Sequence, residues 1–153
     1  MGENLQRCSA SFPALLSPSP PIVEAIRVHP FETPEAPIEP RADKLCMLRV
    51  FRNYVDNAFK YGGERLSRIK IGHENKDGFH VFNVTDNGTG ISEEDSRKVF
   101  ELFHRNGTSG GVEGAGLGLA IAKEIAERHG GGVWVEPNPD RRTIFYVSIS
   151  NNL

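Results

Sequence analysis

The chain has 153 residues, of which 38% are hydrophobic and 25% are charged, and its net charge is −2. This length and composition fit one soluble domain with a buried core, and the charge provides no basic field for nucleic acid or for an anionic membrane. An anionic ligand would therefore have to be held by local geometry in a pocket.

Cysteine usage and hydropathy favour a cytoplasmic chain. Two cysteines, Cys8 and Cys46, are too few for a disulfide framework or a zinc cluster. No apolar run reaches the roughly 18 to 20 residues that span a bilayer, and residues 1–16 lack the apolar core of a signal peptide. We expect no direct membrane contact from this chain, and the sequence leaves open whether a parent protein is membrane-anchored.

Proline content divides the chain near residue 40. Eight of the ten prolines lie between Pro13 and Pro40, and prolines at that spacing exclude long helices. This predicts a proline-rich tail or linker over residues 1–40 and a folded domain over residues 41–153. Within the tail, "PIVEAIRV" (21–28) fits a short helix or a strand equally well, so its role stays open.

After residue 41, helical and strand patterns alternate. Residues 43–61 carry one apolar helical face: Leu45, Leu48, Phe51, Val55, Ala58 and Phe59. "RIKIG" and "FHVFNVTD" follow as two strands, joined by "ENKDG" with its Asp-Gly turn signal. This predicts a helix followed by a β-hairpin.

The second half begins with a short helix in "SEEDSRKVFELF", where Ser92 and Asp95 form a capping-box pattern. Its apolar residues are Val99, Phe100 and Phe103. The next predicted helix, "LAIAKEIAERH", ends at glycines 130–132, which suit a left-handed cap. "VWVE" and "TIFYVSIS" predict a closing pair of strands around the turn "PNPDRR".

Two asparagines and a lysine share one sector of the first helix. At about 100° per residue, Asn53, Asn57 and Lys60 fall roughly opposite the apolar stripe. A solvated polar face is one interpretation. Asparagine is a poor helix former, however, and an amide oxygen with a lysine suits Mg²⁺ and phosphate. The second interpretation is a helix that holds a magnesium nucleotide.

Two glycine-rich segments also permit a structural or a binding interpretation. "VTDNGTGI" is rich in turn formers, but an Asp at the end of a strand could also accept a hydrogen bond from an adenine amino group. "GVEGAGLGLAIA" is neither a dinucleotide fingerprint nor a P-loop. It leads into a helix N-terminus, which favours phosphate, and its glycines suit a mobile lid.

In this order, the segments resemble the catalytic ATP-binding domain of sensor histidine kinases, in the superfamily of gyrase, Hsp90 and MutL. "NYVDNAFKYGG" resembles the N box, "DNGTGI" the G1 box, "VFELFHR" the F box and "GAGLGLAIA" the G2 box. The resemblance covers residues 42–149. It implies an α+β two-layer sandwich of the Bergerat type, with a mixed β-sheet and helices packed on one face.

The resemblance also implies roles for individual residues. Asn57 would bind Mg²⁺, Lys60 would bind phosphate, and Asn53 would complete the catalytic set. Asp86 would bind the adenine of ATP. The other predicted nucleotide-binding residues lie on the pocket wall (Tyr61), after the strand (Gly88, Gly90, Ile91), at the lid (Phe100, Phe103, Arg105) and around the phosphates (Gly114, Gly116, Leu117, Gly118). Thr143 is predicted to match the threonine of the last box, although the glycine that usually precedes this threonine is absent here.

One position separates the branches of this superfamily. In its ATPases and serine kinases, a glutamate four residues before the metal-binding asparagine activates the nucleophile, whereas this chain has Asn53 there. Because an amide cannot accept that proton, the resemblance favours a histidine kinase over an ATPase or serine kinase. A non-catalytic nucleotide-binding docking module is a further alternative.

The implied partners are a histidine-containing dimerisation domain and a downstream response regulator. None of the five histidines fits a phosphoacceptor on a helix, and packing or surface roles are favoured for His29, His73, His80, His104 and His129. We therefore expect a catalytic domain that is separate from its dimerisation domain, either as a fragment or as a stand-alone module.

Overall fold

The computed structural model describes residues 31–32, 41–101, 117–137 and 142–152. Within these ranges, no helix combines the length and the apolar character needed to cross a bilayer. The elements in chain order are β1 (Phe31–Glu32), α1 (Lys44–Tyr61), β2 (Ile69–Lys76), β3 (Phe79–Asp86), α2 (Glu93–Lys98), α3 (Gly118–Arg128), β4 (Val133–Pro137) and β5 (Thr143–Ser150).

The five strands form one mixed sheet in the order β1-β2-β3-β5-β4. β1 pairs in parallel with β2, and all other neighbours are antiparallel. The helices pack on one face, where Phe51 of α1 meets Phe82 edge-on and Tyr54 lies against Phe145. The predicted two-layer sandwich with a mixed sheet is confirmed.

The β2–β3 hairpin closes at the predicted Asp-Gly turn. Lys76 pairs with Phe79, and the two residues between them, Asp77 and Gly78, have φ of 54° and 83°. Two successive positive φ values are typical of a type I′ turn, whose twist matches that of the strands. The strand predicted as "RIKIG" continues to Lys76 because the tight turn keeps the ladder intact to its end.

Helix α1 begins where Asp43 caps it, since the Asp43 carboxylate accepts hydrogen bonds from the N–H groups of Leu45 and Cys46 at 2.9 and 3.0 Å. Its buried face differs in part from the predicted one. Leu45 is 75% exposed, so its assignment to the apolar face was wrong. The buried side chains of α1 are Met47, Val50, Phe51, Tyr54, Val55 and Ala58.

The physical reason is that the buried stripe is rotated around α1 from its predicted position. Tyr54 is fully buried because its hydroxyl donates a hydrogen bond to the carbonyl oxygen of Tyr146 at 2.8 Å, so a residue with a polar tip lies on the core face. At about 100° per residue, Leu45 then falls on the far side of the helix.

The predicted starts of α2 and α3 agree with the structure within one residue. Ser92 caps α2: its hydroxyl accepts from Asp95 N–H at 3.0 Å and lies 2.9 Å from the Asp95 carboxylate. This helix ends at Lys98, before the apolar residues predicted for it, of which Val99 is buried. Helix α3 ends before Gly130, whose φ of 71° confirms the left-handed cap.

The buried side chain of His129 joins the end of α3 to the start of α1. Its Nε2 accepts a hydrogen bond from Asp43 N–H at 3.1 Å, and its Nδ1 lies 2.7 Å from the carbonyl oxygen of Ile125. Since Nε2 accepts, the proton of the neutral imidazole lies on Nδ1. This is a packing role, as the sequence favoured.

The segment predicted as a tail contributes β1 to the sheet. Phe31 and Glu32 pair with Ile69 and Lys70. The possible element at 21–28 and most of the predicted turn between β4 and β5 lie outside the described residues. The domain boundary at residue 40 stays a prediction.

Candidate functional site

Asp86 is a buried carboxyl group at the carboxyl end of β3. It is 5% exposed, and Oδ1 accepts a hydrogen bond from Gly88 N–H at 2.9 Å. Burial raises its pKa to about 6 from an ordinary 3.8, although the Gly88 bond opposes this. Among the described residues, the carboxylate has no second hydrogen-bond partner. A buried, incompletely paired carboxyl group is costly and marks a candidate binding residue.

Thr143 lies beside Asp86, because the two residues are register partners in the β3–β5 ladder. Its side chain is also buried, so both point to the helical face of the sheet. Asp86 also borders a cavity of 170 Å³. Sites for small molecules are typically ~300–1,000 Å³, so this cavity is too small for a nucleotide. Its lining includes Lys70 and Thr85 of the sheet face opposite the helices, so it is not the predicted nucleotide pocket.

The turn after Asp86 packs directly on the end of α1. A Cβ added to Gly88 would lie 2.5 Å from Gly62 Cα, so only glycine fits there. Thr89 donates two hydrogen bonds to the Gly62 carbonyl oxygen, from N–H at 3.0 Å and from Oγ1 at 3.1 Å. Gly90 has φ of 85°, which also favours glycine. This contact joins the N box to the G1 box.

Gly62 therefore has a structural role in the site, since it contacts Gly88 and accepts from Thr89. The sequence did not predict this role. Its signal is the Gly-Gly pair directly after Tyr61, which stands at the end of the N-box segment and was assigned no role of its own. Gly88 was predicted to allow a ligand to approach, whereas in the structure its close contact is with the Gly62 backbone.

Asn57 and Lys60 lie on the last turns of α1. Asn57 is half-buried and its amide forms no hydrogen bond with any described residue, while Lys60 is exposed. Neither asparagine belongs to the buried stripe of α1, as predicted. Both are half-buried rather than fully exposed, and Asn53 packs on the start of α3. Tyr61 ends α1, and its side chain lies outside the described set.

Asn53 contacts the start of α3. Its Nδ2 donates a hydrogen bond to the carbonyl oxygen of Gly118 at 2.9 Å. Leu117 is 36% exposed and directly precedes this helix. Gly114 and Gly116 fall outside the described residues. The structure therefore brings the end of the predicted glycine loop against α1.

Two residues of the predicted nucleotide set pack against the core. Phe100 meets Phe145 edge-on, with ring centroids 6.1 Å apart, and Ile91 is partly buried against the same core. Phe103 and Arg105 lie outside the described residues. Phe100 thus anchors the chain where it leaves α2.

Residues 42–152 match the sequence model of the family described as histidine kinase-, DNA gyrase B- and HSP90-like ATPases. The phytochrome-like protein Cph1 of Synechocystis is 39% identical over 108 residues, which are 71% of this chain and 14% of that protein. The sensor histidine kinase YcbM of Bacillus subtilis is 30% identical over 77% of this chain and 38% of its own length.

Solved structures with this fold include the catalytic domain of histidine kinase ThkA, at 30% identity and a TM-score of 0.72, with 91% of this chain and 89% of that chain covered. The mycobacterial sensor histidine kinase MprB has a TM-score of 0.74 at 26% identity, covering 85% and 88% of the two chains. The chain therefore belongs to the family of histidine kinase-, DNA gyrase B- and HSP90-like ATPases, as an ATP-binding catalytic domain of the sensor histidine kinase type.

Proposed function

We propose that this chain binds ATP with Mg²⁺ and transfers the γ-phosphoryl group to a histidine on a separate dimerisation domain. The observation that carries the proposal is Asp86, a buried carboxyl group with one oxygen unpaired among the described residues, set beside the end of α1. The chain spans only 14% of Cph1, so the activity of the whole protein is part of this proposal.

The adenine amino group of ATP would donate to Asp86, with Thr143 adjacent. The phosphates would lie between α1 and the start of α3, near Asn57 and Lys60. The first N–H groups of an α-helix have no acceptor within the helix, so the start of α3 favours an anion. The contacts between Gly88 and Gly62 and between Asn53 and Gly118 support this placement, since they bring the three segments together.

The described residues fit a magnesium ion that is shared with a nucleotide. No cluster of three or more His, Cys, Asp or Glu side chains that could hold a metal occurs in the described ranges. Mg²⁺ commonly takes one or two protein oxygens together with phosphate oxygens and water. Asn57 would provide the amide oxygen, and the ion would neutralise charge on the phosphates.

Transfer would depend on positioning and on charge neutralisation, as in other phosphoryl transfers. The acceptor would be a histidine nitrogen of the dimerisation domain. The described histidines of this chain support an external acceptor: His73 and His80 lie in paired strands with ring nitrogens 3.0 Å apart, and His129 is buried. From that histidine, the phosphoryl group would pass to a response regulator in the cytoplasm.

The main alternative is an ATPase or serine kinase of the same superfamily. The amide of Asn53 cannot act as a base, and its Nδ2 is already bonded to Gly118, so the geometry favours the histidine kinase. A docking module that binds nucleotide without transfer remains the third function to test.

The first experiment is calorimetric titration of the whole chain with ATP, with and without Mg²⁺, for the wild type, Asp86→Ala and Asn57→Ala. We expect wild-type binding to strengthen with Mg²⁺. Asp86→Ala should bind no ATP, and Asn57→Ala should lose only the magnesium-dependent part. Absence of wild-type binding would contradict the proposal.

Phosphoryl transfer is tested separately by adding a histidine-containing dimerisation domain and radiolabelled ATP. Acid-labile label on that domain is the expected result. Binding of ATP without any transfer would favour the docking module. Release of phosphate without labelling would favour the ATPase.

A further inference from the structure

Helices α1 and α3 pack antiparallel and are tied at both ends by hydrogen bonds to backbone groups. At one end, Asn53 Nδ2 donates to the Gly118 carbonyl oxygen at 2.9 Å. At the other end, Asp43 N–H donates to His129 Nε2 at 3.1 Å. Only the first tie lies beside the end of α3 that is predicted to bind phosphate. Removal of the second tie is therefore a control for removal of the first.

The contact between Asn53 and Gly118 is close as well as polar. A Cβ added to Gly118 would lie 3.1 Å from Asn53 Oδ1 and 3.2 Å from its Cγ. These distances are shorter than ordinary van der Waals contact between such atoms. The two residues are 65 positions apart, and the bond joins the helix that carries Asn57 to the first residue of α3.

We infer that Asn53 is a positioning residue, which fixes the phosphate-facing start of α3 relative to Asn57 and Lys60 without itself binding metal or nucleotide. This inference rests on the proposed function. It replaces the predicted catalytic role of Asn53, because the Nδ2 bond to the Gly118 carbonyl oxygen holds the amide against the start of α3. The first N–H groups of α3 have no acceptor within the helix, and the tie fixes the direction in which they point. Preorganised donors bind phosphate more tightly than mobile ones.

The tie explains why an amide suits this position. A carboxylate has no N–H to donate and would face the Gly118 carbonyl oxygen with its negative charge. Asn53→Glu would therefore break the tie at the same time as it adds a base. A failure of that variant to hydrolyse ATP would be no evidence about the missing base.

The test uses Asn53→Ala in the whole chain, which removes the tie without changing charge. Calorimetry measures the affinity for ATP in Mg²⁺ and in EDTA. A competition assay measures the affinity for adenosine, which has no phosphate. We expect ATP affinity to fall about tenfold in both conditions, the equivalent of one lost hydrogen bond. Adenosine affinity should stay within twofold of the wild type.

His129→Ala is the matched control at the other end of α1. It removes the imidazole nitrogen that accepts from Asp43 N–H and should lower the melting temperature, yet ATP affinity should stay within twofold. Gly118→Ala is the second test, since its methyl group would push Asn53 away. It should change the affinities for ATP and adenosine as Asn53→Ala does, and it replaces Asn53→Ala in the test if that variant fails to fold.

Three results would overturn the inference. A loss of ATP affinity confined to Mg²⁺ would make Asn53 a metal ligand. An equal loss of adenosine affinity would make the tie a general support of the fold. Unchanged ATP affinity would show that the tie positions nothing. Absence of ATP binding by the wild type would instead overturn the proposed function, so the two failures are distinguishable.

Discussion

The side chain of Asp86 opposes folding once it ionises, because its pKa is raised to about 6 by burial from an ordinary 3.8. Between about pH 4 and pH 6, the unfolded chain loses this proton while the folded chain keeps it. The free energy of unfolding therefore falls as pH rises through this window and stays lower above it. A buried carboxyl group kept at such a cost is expected at a binding site.

We predict that Asp86→Asn stabilises the chain at pH 7 and leaves its stability nearly unchanged below pH 4. The gain is up to about 3 kcal/mol, from a shift of roughly two pKa units. Urea unfolding at several pH values measures it. The control is Asp77→Asn, the same change in an exposed turn, which should have little effect. Equal stability of wild type and Asp86→Asn at pH 7 would contradict the prediction.

The hydroxyl of Tyr54 gives a second prediction at this scale. It is buried and donates to the Tyr146 carbonyl oxygen at 2.8 Å, and burial raises its pKa. Tyr54→Phe should lower the free energy of unfolding by about 1 kcal/mol, since the partly buried Tyr146 carbonyl oxygen loses a donor. Tyr146→Phe, whose exposed hydroxyl bonds to Glu136, should cost less. Equal losses in urea unfolding would argue against a special role for Tyr54.

Among the elements, the joint between α1 and the turn after β3 depends on two glycines. Gly88→Ala would place Cβ 2.6 Å from the Gly62 carbonyl oxygen, so the backbone must shift. We predict a loss of more than about 2 kcal/mol in stability together with weakened ATP binding. Gly132→Ala is the control, since nothing lies within 4 Å of its Cβ position. Similar effects in thermal melts of the two variants would contradict this account.

Element boundaries were predictable wherever local chemistry decides them. The Asp77–Gly78 turn, the Ser92 cap and the left-handed Gly130 each follow from backbone preferences within a few residues. The apolar face of α1 was predicted less well, because Tyr54 on the core face depends on a carbonyl group of β5, far away in the sequence.

For the whole molecule, the core indicates how much of the chain is needed to fold. Every buried hydrophobic residue of the described core lies between Ala42 and Ile149, and the two described residues before position 41, Phe31 and Glu32, pair at the edge of the sheet. We predict that residues 41–153 alone unfold cooperatively in urea, with a denaturant slope close to that of the full chain. A non-cooperative transition would show that the domain begins before residue 41.

The family can be identified from the sequence, because four motifs keep their order and chemistry along the chain. The sandwich can be predicted as well, because helical and strand periods alternate, and residue type alone makes Asn57 and Asp86 candidates for the site. How the motifs meet follows from the fold. The contacts of Gly88 with Gly62, Asn53 with Gly118 and His129 with Asp43 join residues far apart in sequence, and their partners are set by packing, which no local pattern records.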